Sequence, residues 1–292
     1  MDLLRFVSKN RGKVLLDGGM GTQLGERGAP MGGIACLTHP DDVLAVHRSY
    51  VQAGADILIT NTLTMNRVNI DTHDLGIDVR EVNIKGAELA RQGIGKEGFV
   101  LGDISTTGKM MAPIGDLTEA RAFEAFQEQA GYLAEGGVDG FIIETMFDLN
   151  EAVVAVKACK TAAPGLPVLA SMTFETLNRG GRTMMGNSAA DCARSLDQAG
   201  ADMIGTNCGS LNPVEMAEIV KILVEAADKP VVVQPNAGKP RFDRGKTLFD
   251  MTPDQFVEGI SICLDNGASL IGGCCGTTPA HIARMRELVP RD

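Results

Sequence analysis

The segment AGADILIT at residues 53–60 joins the end of a helix to the start of a strand, and it decides the fold class. The amphipathic stretch 41–53 predicts a helix that ends at Gly54, and the apolar run DILIT at 56–60 predicts a buried strand. A glycine between a helical stretch and an aliphatic run is typical of alternating α/β architecture. The same transition recurs at GGVD (136–139), AGAD (199–202) and NGAS (266–269).

Eight short aliphatic runs predict eight strands. They are KVLLD (13–17), DILIT (56–60), FVLGD (99–103), GFIIE (140–144), LPVLAS (166–171), DMIGT (202–206), PVVVQ (230–234) and SLIGG (269–273). Nearly continuous apolar runs are typical of parallel strands that are buried on both faces. Helical stretches fill the intervals, with Thr118 as a predicted cap and with Pro213, Pro253 and Pro279 near the starts of three helices. Eight evenly spaced units favour a closed (β/α)8 TIM barrel over an open doubly wound sheet, so we predict a single domain over residues 1–292.

The composition excludes several classes of protein. The chain has 292 residues, with 27 Lys+Arg against 37 Asp+Glu and a formal net charge of −10, which argues against nucleic acid and anionic membranes as partners. No apolar run approaches the ~18 residues that span a bilayer, and the charged N-terminal segment is not typical of a secretory signal. Seven cysteines, an odd number, do not suggest a disulfide framework, so we predict a location in the reducing cytoplasm.

Polar or thiol side chains stand at the carboxyl ends of the predicted strands, where TIM barrels have their active sites. In chain order they are Asp17, Asn61, Asp103, Glu144, Ser171, Asn207, Cys208, Asn236, Cys274 and Cys275. Together they predict a polar barrel mouth that is able to bind a metal ion.

The segments TNCGS and GGCCGTTP place Cys208, Cys274 and Cys275 at the ends of two strands that we expect to be near neighbours on the rim. Side chains alternate along a regular strand, so the flanking glycines would have to bend the chain for two adjacent thiols to reach one ion. One interpretation is an all-cysteine zinc site with one open position, as a catalytic zinc requires. The alternative is that the thiols are buried small apolar side chains. We assign that role to the other cysteines, which are Cys36, Cys159, Cys192 and Cys263.

Three further features could bind a substrate. The glycine-rich turn DGGMGT at 17–22 offers backbone N–H groups to an anion, although such turns are common after strands. Glu144 could bind a substrate ammonium group or form an internal salt bridge. Asn236 could orient a ligand or close a turn. The histidines fall in predicted loops or helices and are not assigned as metal ligands; they are His39, His47, His73 and His281.

Seven motifs together resemble the homocysteine S-methyltransferase family. They are DGGMGT (17–22), TNT (60–62), GD (102–103), ET (144–145), NC (207–208), PNAGKP (235–240) and GGCCGTTP (272–279). The resemblance extends from Val14 to Leu288. The sequence of residues 46–62 is most similar to that of the homocysteine-binding N-terminal module of cobalamin-dependent methionine synthase. It implies a zinc-containing (β/α)8 barrel that methylates homocysteine to methionine.

The resemblance also implies roles for individual residues. The zinc ligands would be Cys208, Cys274 and Cys275, with the homocysteine thiolate in the open position. The backbone N–H groups of Gly19 and Met20 would receive the substrate carboxylate, and Glu144 would bind the substrate ammonium group. The side chains placed nearby are Asp17, Asn207 and Asn236.

The aromatic composition bears on the methyl donor. Betaine and S-methylmethionine carry cationic centres, which proteins usually hold against aromatic rings. The chain has no Trp, and its two tyrosines, Tyr50 and Tyr132, fall within predicted outer helices, which leaves Phe147 and Phe174 as the aromatic residues expected near the mouth. We expect no folate-binding or cobalamin-binding module in addition to the barrel. We therefore expect a methyl-corrinoid donor, methylcobalamin, carried by a separate corrinoid-binding protein.

Two classes of alternative are retained. One is an enzyme of the same fold that uses S-methylmethionine, betaine or a different thiol acceptor. The other is a non-catalytic zinc-binding barrel, although Glu144 and the three rim cysteines are all present.

Overall fold

In the computed structural model, which describes residues 2–10, 13–243 and 246–290, eight parallel strands alternate with helices along the chain. The barrel strands are β1 (Val14–Leu15), β2 (Ile57–Ile59), β3 (Phe99–Ile104), β4 (Gly140–Met146), β5 (Val168–Met172), β6 (Met203–Asn207), β7 (Val231–Gln234) and β10 (Ala268–Ile271). Each lies on one of the eight predicted runs, and the predicted single-domain (β/α)8 barrel is confirmed. The predicted extent of the domain includes residues 1, 11, 12, 244, 245, 291 and 292, which lie outside the described residues.

Strand order shows how the barrel closes. The sheet runs β1-β10-β7-β6-β5-β4-β3-β2, and the two end strands meet at a parallel bridge between Leu16 and Ile57. Next to this bridge, the Asp56 N–H donates to the Leu15 carbonyl at 2.7 Å. The carboxyl ends of the strands therefore form a ring at one end of the barrel, with β7 between β6 and β10.

Helices connect the strands on the outside. The helices are α1 (Leu3–Lys9), α2 (Met20–Glu26), α3 (Ala35–Thr38), α4 (Pro40–Gln52), α5 (Arg67–Thr72), α6 (Val79–Ile94), α7 (Glu119–Glu135), α8 (Leu149–Ala162), α9 (Ala189–Ala199), α10 (Pro213–Ala226), α11 (Pro253–Asp265) and α12 (Pro279–Leu288). The Thr118 side chain caps α7 by accepting the Arg121 N–H, as the sequence predicts. The three predicted helices with an N-terminal proline are also confirmed.

Two local features differ from the predictions. We expected Glu144 to end the fourth strand, but β4 continues to Met146 after an irregularity in its register with β5. The antiparallel hairpin of β8 (Arg241–Asp243) and β9 (Lys246–Leu248) in the loop after β7 was not predicted. Strands of three residues are too short for periodicity to identify them.

The barrel interior is a small apolar core that receives side chains from every barrel strand. Those side chains are Val14, Ile57, Ile59, Leu101, Ile142, Leu169, Met203, Val232 and Leu270. Leu3 and Val7 of α1 pack into the same cluster, so α1 covers the amino-terminal end of the barrel. Functional groups are therefore confined to the opposite, carboxyl-terminal mouth. Within the described ranges, no helix combines the length and apolar character that crossing a membrane requires.

Candidate active site

Three cysteine thiols converge at the barrel mouth. Cys208 directly follows β6, Cys274 and Cys275 follow β10, and their sulfur atoms all lie within 4.8 Å of one another. The end of β7 lies between the two segments and holds both: the Cys208 N–H donates to the Gln234 carbonyl at 3.1 Å, and the Cys274 N–H donates to the Pro235 carbonyl at 2.8 Å. The predicted convergence of these cysteines is therefore observed.

The backbone at Cys208 has a φ of +56°, in the left-handed region that residues with a side chain seldom adopt. Gly209 follows with a φ of +72°. These two left-handed residues directly follow Asn207, the last residue of β6. Such a conformation persists where the surrounding structure determines it, and it is common at functional sites.

Hydrogen bonds among the three thiols shift their pKa values in opposite directions. Hydrogen bonds from the Cys274 and Cys275 thiols lower the pKa of Cys208 to about 3. The hydrogen bond with Cys208 in turn raises the pKa of Cys275 to about 12, and the pKa of Cys274 lies well above its usual range for the same reason. These hydrogen bonds favour the thiolate form at Cys208, and the three sulfur atoms are a strong donor set for a sulfur-binding metal ion once the remaining protons are released.

A cavity of about 410 Å³ opens beside the thiols. It is lined by the turn after β1, by the ends of β2, β3, β4 and β7, and by the cysteine segments after β6 and β10. The predicted site residues that line it are Asp17, Gly19, Met20, Glu144, Cys208, Cys274 and Cys275. The predicted residues Asn207 and Asn236 lie behind this lining.

Three carboxyl groups face the cavity from β3, β4 and the end of β1. Burial raises the pKa of Glu144 to about 8, with a further contribution from the charge on Cys208. Burial, and then the proximity of Glu144, also raises the pKa values of Asp103 and Asp17 well above the usual range. Buried carboxylates are costly without a compensating charge, so a cavity with three of them favours a cationic ligand group.

Some oxygen atoms of these three carboxyl groups have no hydrogen-bond partner among the described residues. Asp17 accepts the Ile59 N–H at 3.0 Å. In contrast, Asp103 Oδ1 and Glu144 Oε2 are buried and have no hydrogen-bond partner in the described part of the chain. Glu144 forms no ion pair with any described residue, so the alternative of an internal salt bridge is not observed.

The glycine-rich turn lies directly beside the cysteine loop. Gly19 precedes α2, and its N–H donates to the Thr277 hydroxyl at 2.9 Å. Met20 is the first residue of α2, so its N–H has no acceptor within the helix, and the residue lines the cavity. The role of these two N–H groups in binding a carboxylate stays a prediction, and Gly19 would have to share its proton with Thr277.

The two predicted asparagines contact protein groups behind the cavity. Asn207 accepts the Ser171 hydroxyl at 2.9 Å and also bonds to Thr145. Asn236 donates to the Gly209 carbonyl at 3.0 Å, next to Cys208. Both side chains support the segments that carry the thiols and Glu144; direct contact with a substrate stays a prediction.

Sequence reasoning did not assign roles to Asp103, Gln234 or Thr277. Asp103 and Gln234 line the cavity, and Thr277 connects the glycine-rich turn to the cysteine loop. The sequence nevertheless offered a signal for each of them. Asp103 lies at a predicted strand end, in the motif GD, and Thr277 lies within the motif GGCCGTTP. Gln234 ends the seventh aliphatic run and had the same positional signal.

No aromatic ring lines the cavity among the residues that the structure describes. Phe174 is fully buried, and Phe147 is absent from the lining, although we expected both near the mouth. Tyr50 and Tyr132 lie in α4 and α7, as predicted.

Comparisons with known proteins agree with this geometry. The profile of the homocysteine S-methyltransferase family matches residues 14–289. Methionine synthase of Mycobacterium tuberculosis is 33% identical over 309 aligned residues, and that of Mycobacterium leprae is 32% identical over 296. The alignments cover 99% and 94% of this chain but only 25% and 24% of those relatives, so the chain spans about a quarter of their length.

A solved structure with the same fold bears a homocysteine methyltransferase name. The metallated form of the homocysteine methyltransferase MmuM from Escherichia coli superposes with a TM-score of 0.77 at 25% identity. The match covers 98% of this chain and 99% of MmuM. Together with the profile match over nearly the whole chain, this similarity shows that the protein belongs to the homocysteine S-methyltransferase family of methyltransferases.

Proposed function

We propose that this barrel binds one zinc ion and methylates homocysteine to methionine, with a methyl-corrinoid on a separate protein as the donor. The observation that supports it best is the convergence of three thiols within 4.8 Å at the edge of a cavity whose carboxyl groups have no cationic partner among the described residues. A sulfur-binding metal and the ammonium group of an amino acid would thus be bound side by side. The predicted location in the reducing cytoplasm is part of this proposal.

The thiol cluster fits a zinc ion. Tetrahedral Zn–S bonds of about 2.3 Å place the sulfurs about 3.8 Å apart, which agrees with a cluster whose sulfurs lie within 4.8 Å. Cys208, Cys274 and Cys275 would supply three ligands, and the cavity would admit a fourth from the substrate. A zinc ion bound there would supply the positive charge that keeps a coordinating substrate thiol deprotonated at neutral pH.

The carboxyl cluster would bind the substrate ammonium group. Because the pKa of Glu144 is about 8, its carboxyl group is largely protonated at neutral pH while the cavity holds no cation. An ammonium group at Glu144 Oε2 would favour the ionised form and release that proton to solvent. Asp103 Oδ1 is a second unpartnered acceptor facing the same space. The substrate would thus be oriented by its charged groups, with its side-chain sulfur directed to the cysteines.

The residues around the mouth favour a large methyl carrier over a small cationic methyl donor. A cavity lined by no aromatic residue of the described chain offers no cage for betaine or S-methylmethionine. Among the residues whose burial is described, the most exposed large apolar side chains are Met31, Ile114 and Met184, at 69%, 68% and 67%. All three lie in loops that follow barrel strands, so they surround the mouth. These three side chains would contact a carrier protein that docked over the mouth.

The test is methionine formation from homocysteine with a panel of donors. We expect rapid turnover with a methylated corrinoid protein and slow turnover with free methylcobalamin, which lacks the docking surface. Rapid turnover with betaine or S-methylmethionine and none with methylcobalamin would show that the donor assignment is wrong. Zinc binding without methionine formation from any donor would favour the non-catalytic alternative.

A further inference from the structure

The loop that contains Cys274 and Cys275 is hydrogen-bonded to the glycine-rich turn through one hydroxyl group. Thr277 Oγ1 accepts the Gly19 N–H at 2.9 Å and donates to the Cys274 carbonyl at 2.7 Å. Thr277 is itself fully buried. One side chain therefore connects the backbone of the turn to the backbone of a thiol ligand.

Steric packing keeps this connection rigid. A Cβ atom on Gly18 would lie 2.6 Å from Thr277 Oγ1, and one on Gly273 would lie 2.4 Å from it. A Cβ atom on Gly19 would lie 2.6 Å from the Cys274 carbonyl oxygen. Real Cβ contacts of this length do not occur, so the turn and the loop approach each other as closely as glycine allows. Movement of one segment must therefore move the other.

Two further side chains span the same junction. Thr22 Oγ1 accepts the Gly276 N–H at 3.2 Å and lies 3.2 Å from the Gly19 carbonyl, to which it donates. The buried Tyr50 hydroxyl lies between the Gly19 and Thr277 carbonyls, at 3.3 and 3.1 Å. The turn and the cysteine loop thus form one packed unit, with Thr277 at its centre.

We propose that Thr277 is a positioning residue that couples occupancy of the amino-acid site to retention of the metal ion. This inference rests on the proposed function, which assigns the turn to the substrate carboxylate and the loop to zinc. An amino acid bound at the turn holds the turn in one position, and Thr277 transmits that position to the Cys274 backbone. Because linkage is reciprocal, a bound metal ion also strengthens amino-acid binding by the same factor.

The test uses L-2-aminobutyrate, which has the α-amino and α-carboxyl groups of homocysteine but no sulfur. Because it has no thiol, this compound cannot supply the fourth sulfur ligand that homocysteine would bring to the zinc ion, and chelation of free zinc by its amino and carboxylate groups would lower zinc retention instead of raising it. We expect it to raise the equilibrium affinity of the wild-type protein for zinc, measured in competition with a chromogenic chelator, about fivefold or more, within the usual range of coupling between sites. Calorimetric titration of zinc-loaded and zinc-free protein with L-2-aminobutyrate should give the same factor in affinity.

Substitutions then locate the coupling. Thr277→Val removes the hydroxyl with little change in shape, and we expect the factor to fall to about one, whereas Thr277→Ser should retain it. Thr278→Val is the matched control, because the Thr278 hydroxyl contacts His281 in the cap of α12 and not the turn. This control should keep the wild-type factor.

A second variant covers the case in which Thr277→Val does not fold. Thr22→Val breaks the other hydroxyl connection, to the Gly276 N–H, and should reduce the factor without removing Thr277. An absence of any effect of L-2-aminobutyrate on wild-type zinc retention would overturn the proposal, as would an unchanged factor in the folded Thr277→Val or Thr22→Val protein. Neither result depends on a methyl donor, so failure of the coupling and failure of methyl transfer are separate outcomes.

Discussion

Asn207 and Thr145 form a reciprocal pair of hydrogen bonds across the barrel mouth. Asn207 Oδ1 accepts the Thr145 N–H at 2.9 Å, and Asn207 Nδ2 donates to Thr145 Oγ1 at 2.8 Å. Thr145 has a φ of +59°, and Cys208, which follows Asn207, has a φ of +56°. The pair therefore stabilises two left-handed residues that would otherwise each cost about 1–2 kcal/mol. One of these follows Glu144 and the other is a thiol residue, so the same amide sets the positions of both functional groups.

The rim thiols should be essential for zinc. Two variants test this: the double change Cys274→Ser with Cys275→Ser, and the single change Cys208→Ser. Each should reduce bound zinc from one ion per chain to near zero, because hydroxyl groups do not replace thiolate ligands. Circular dichroism should stay unchanged, since these side chains lie outside the apolar core. Metal content by atomic emission is the measurement. Cys192→Ala is the control: Cys192 is a buried residue of α9, and this variant should keep its zinc. Full occupancy in the double variant would exclude the proposed ligand set.

Glu144 should determine affinity for homocysteine and not for zinc. Glu144→Gln removes a charge-assisted hydrogen bond of about 1.5–3 kcal/mol, so the KM for homocysteine should rise roughly ten- to a hundredfold. Zinc content should be unchanged. The control is Glu151→Gln, since Glu151 is also buried but accepts the Thr107 N–H at 2.8 Å and does not line the cavity. The Glu151→Gln variant should lose thermal stability and keep its KM for homocysteine. An equal rise in KM in the Glu144→Gln and Glu151→Gln variants would assign Glu144 a structural role only.

Substitution by alanine should have different effects on stability at Gly19 and Gly21, which are separated only by Met20. Gly19→Ala places a Cβ atom 2.6 Å from the Cys274 carbonyl oxygen, which should displace the cysteine loop at a cost of about 1–3 kcal/mol. Gly21→Ala meets nothing closer than the Met31 Cβ at 3.8 Å, and as a helical residue it should be neutral or slightly stabilising. Zinc retention and thermal unfolding of the two variants provide the comparison. Equal behaviour of the two would contradict the close approach of turn and loop.

His47 should reduce the stability of the protein in acid. It is fully buried in α4, neither ring nitrogen has a hydrogen-bond partner among the described residues, and burial lowers its pKa from 6.5 to about 3. Between these pH values the unfolded chain binds a proton at this histidine and the folded chain does not. The free energy of unfolding should therefore be unaffected above pH 6.5 and should fall by about 1.4 kcal/mol per pH unit below it, towards pH 3.

Denaturant titrations at several pH values measure this contribution. His47→Leu should remove it and flatten the acid limb of the stability profile. His73→Gln is the control, because His73 is exposed and bonds only to the Asn69 carbonyl of its own helix segment. An acid limb of the same slope in the His47→Leu protein would show that other groups cause the loss.

Local patterns in the sequence predicted the eight barrel strands, the principal helices and the residues at the mouth. Buried parallel strands require continuous apolar runs, and helix starts require caps such as Thr118, so each element could be identified from its own residues. The alternation of strands and helices then left few topologies for 292 residues. The cysteine pair in GGCCGTTP could be interpreted for the same reason, because strand ends in a barrel meet at one face.

Only the tertiary structure decided which of these residues contact one another. The bond from the Gly19 N–H to the Thr277 hydroxyl joins residues 258 positions apart, and it forms because β1 and β10 are neighbours in the closed barrel. The Asn207–Thr145 pair and the extension of β4 beyond Glu144 likewise depend on how β4, β5 and β6 align in register. Periodicity reports whether a residue is buried in its own element. The choice of hydrogen-bond partner between loops depends on the relative positions of several strands, which exist only once the barrel has closed.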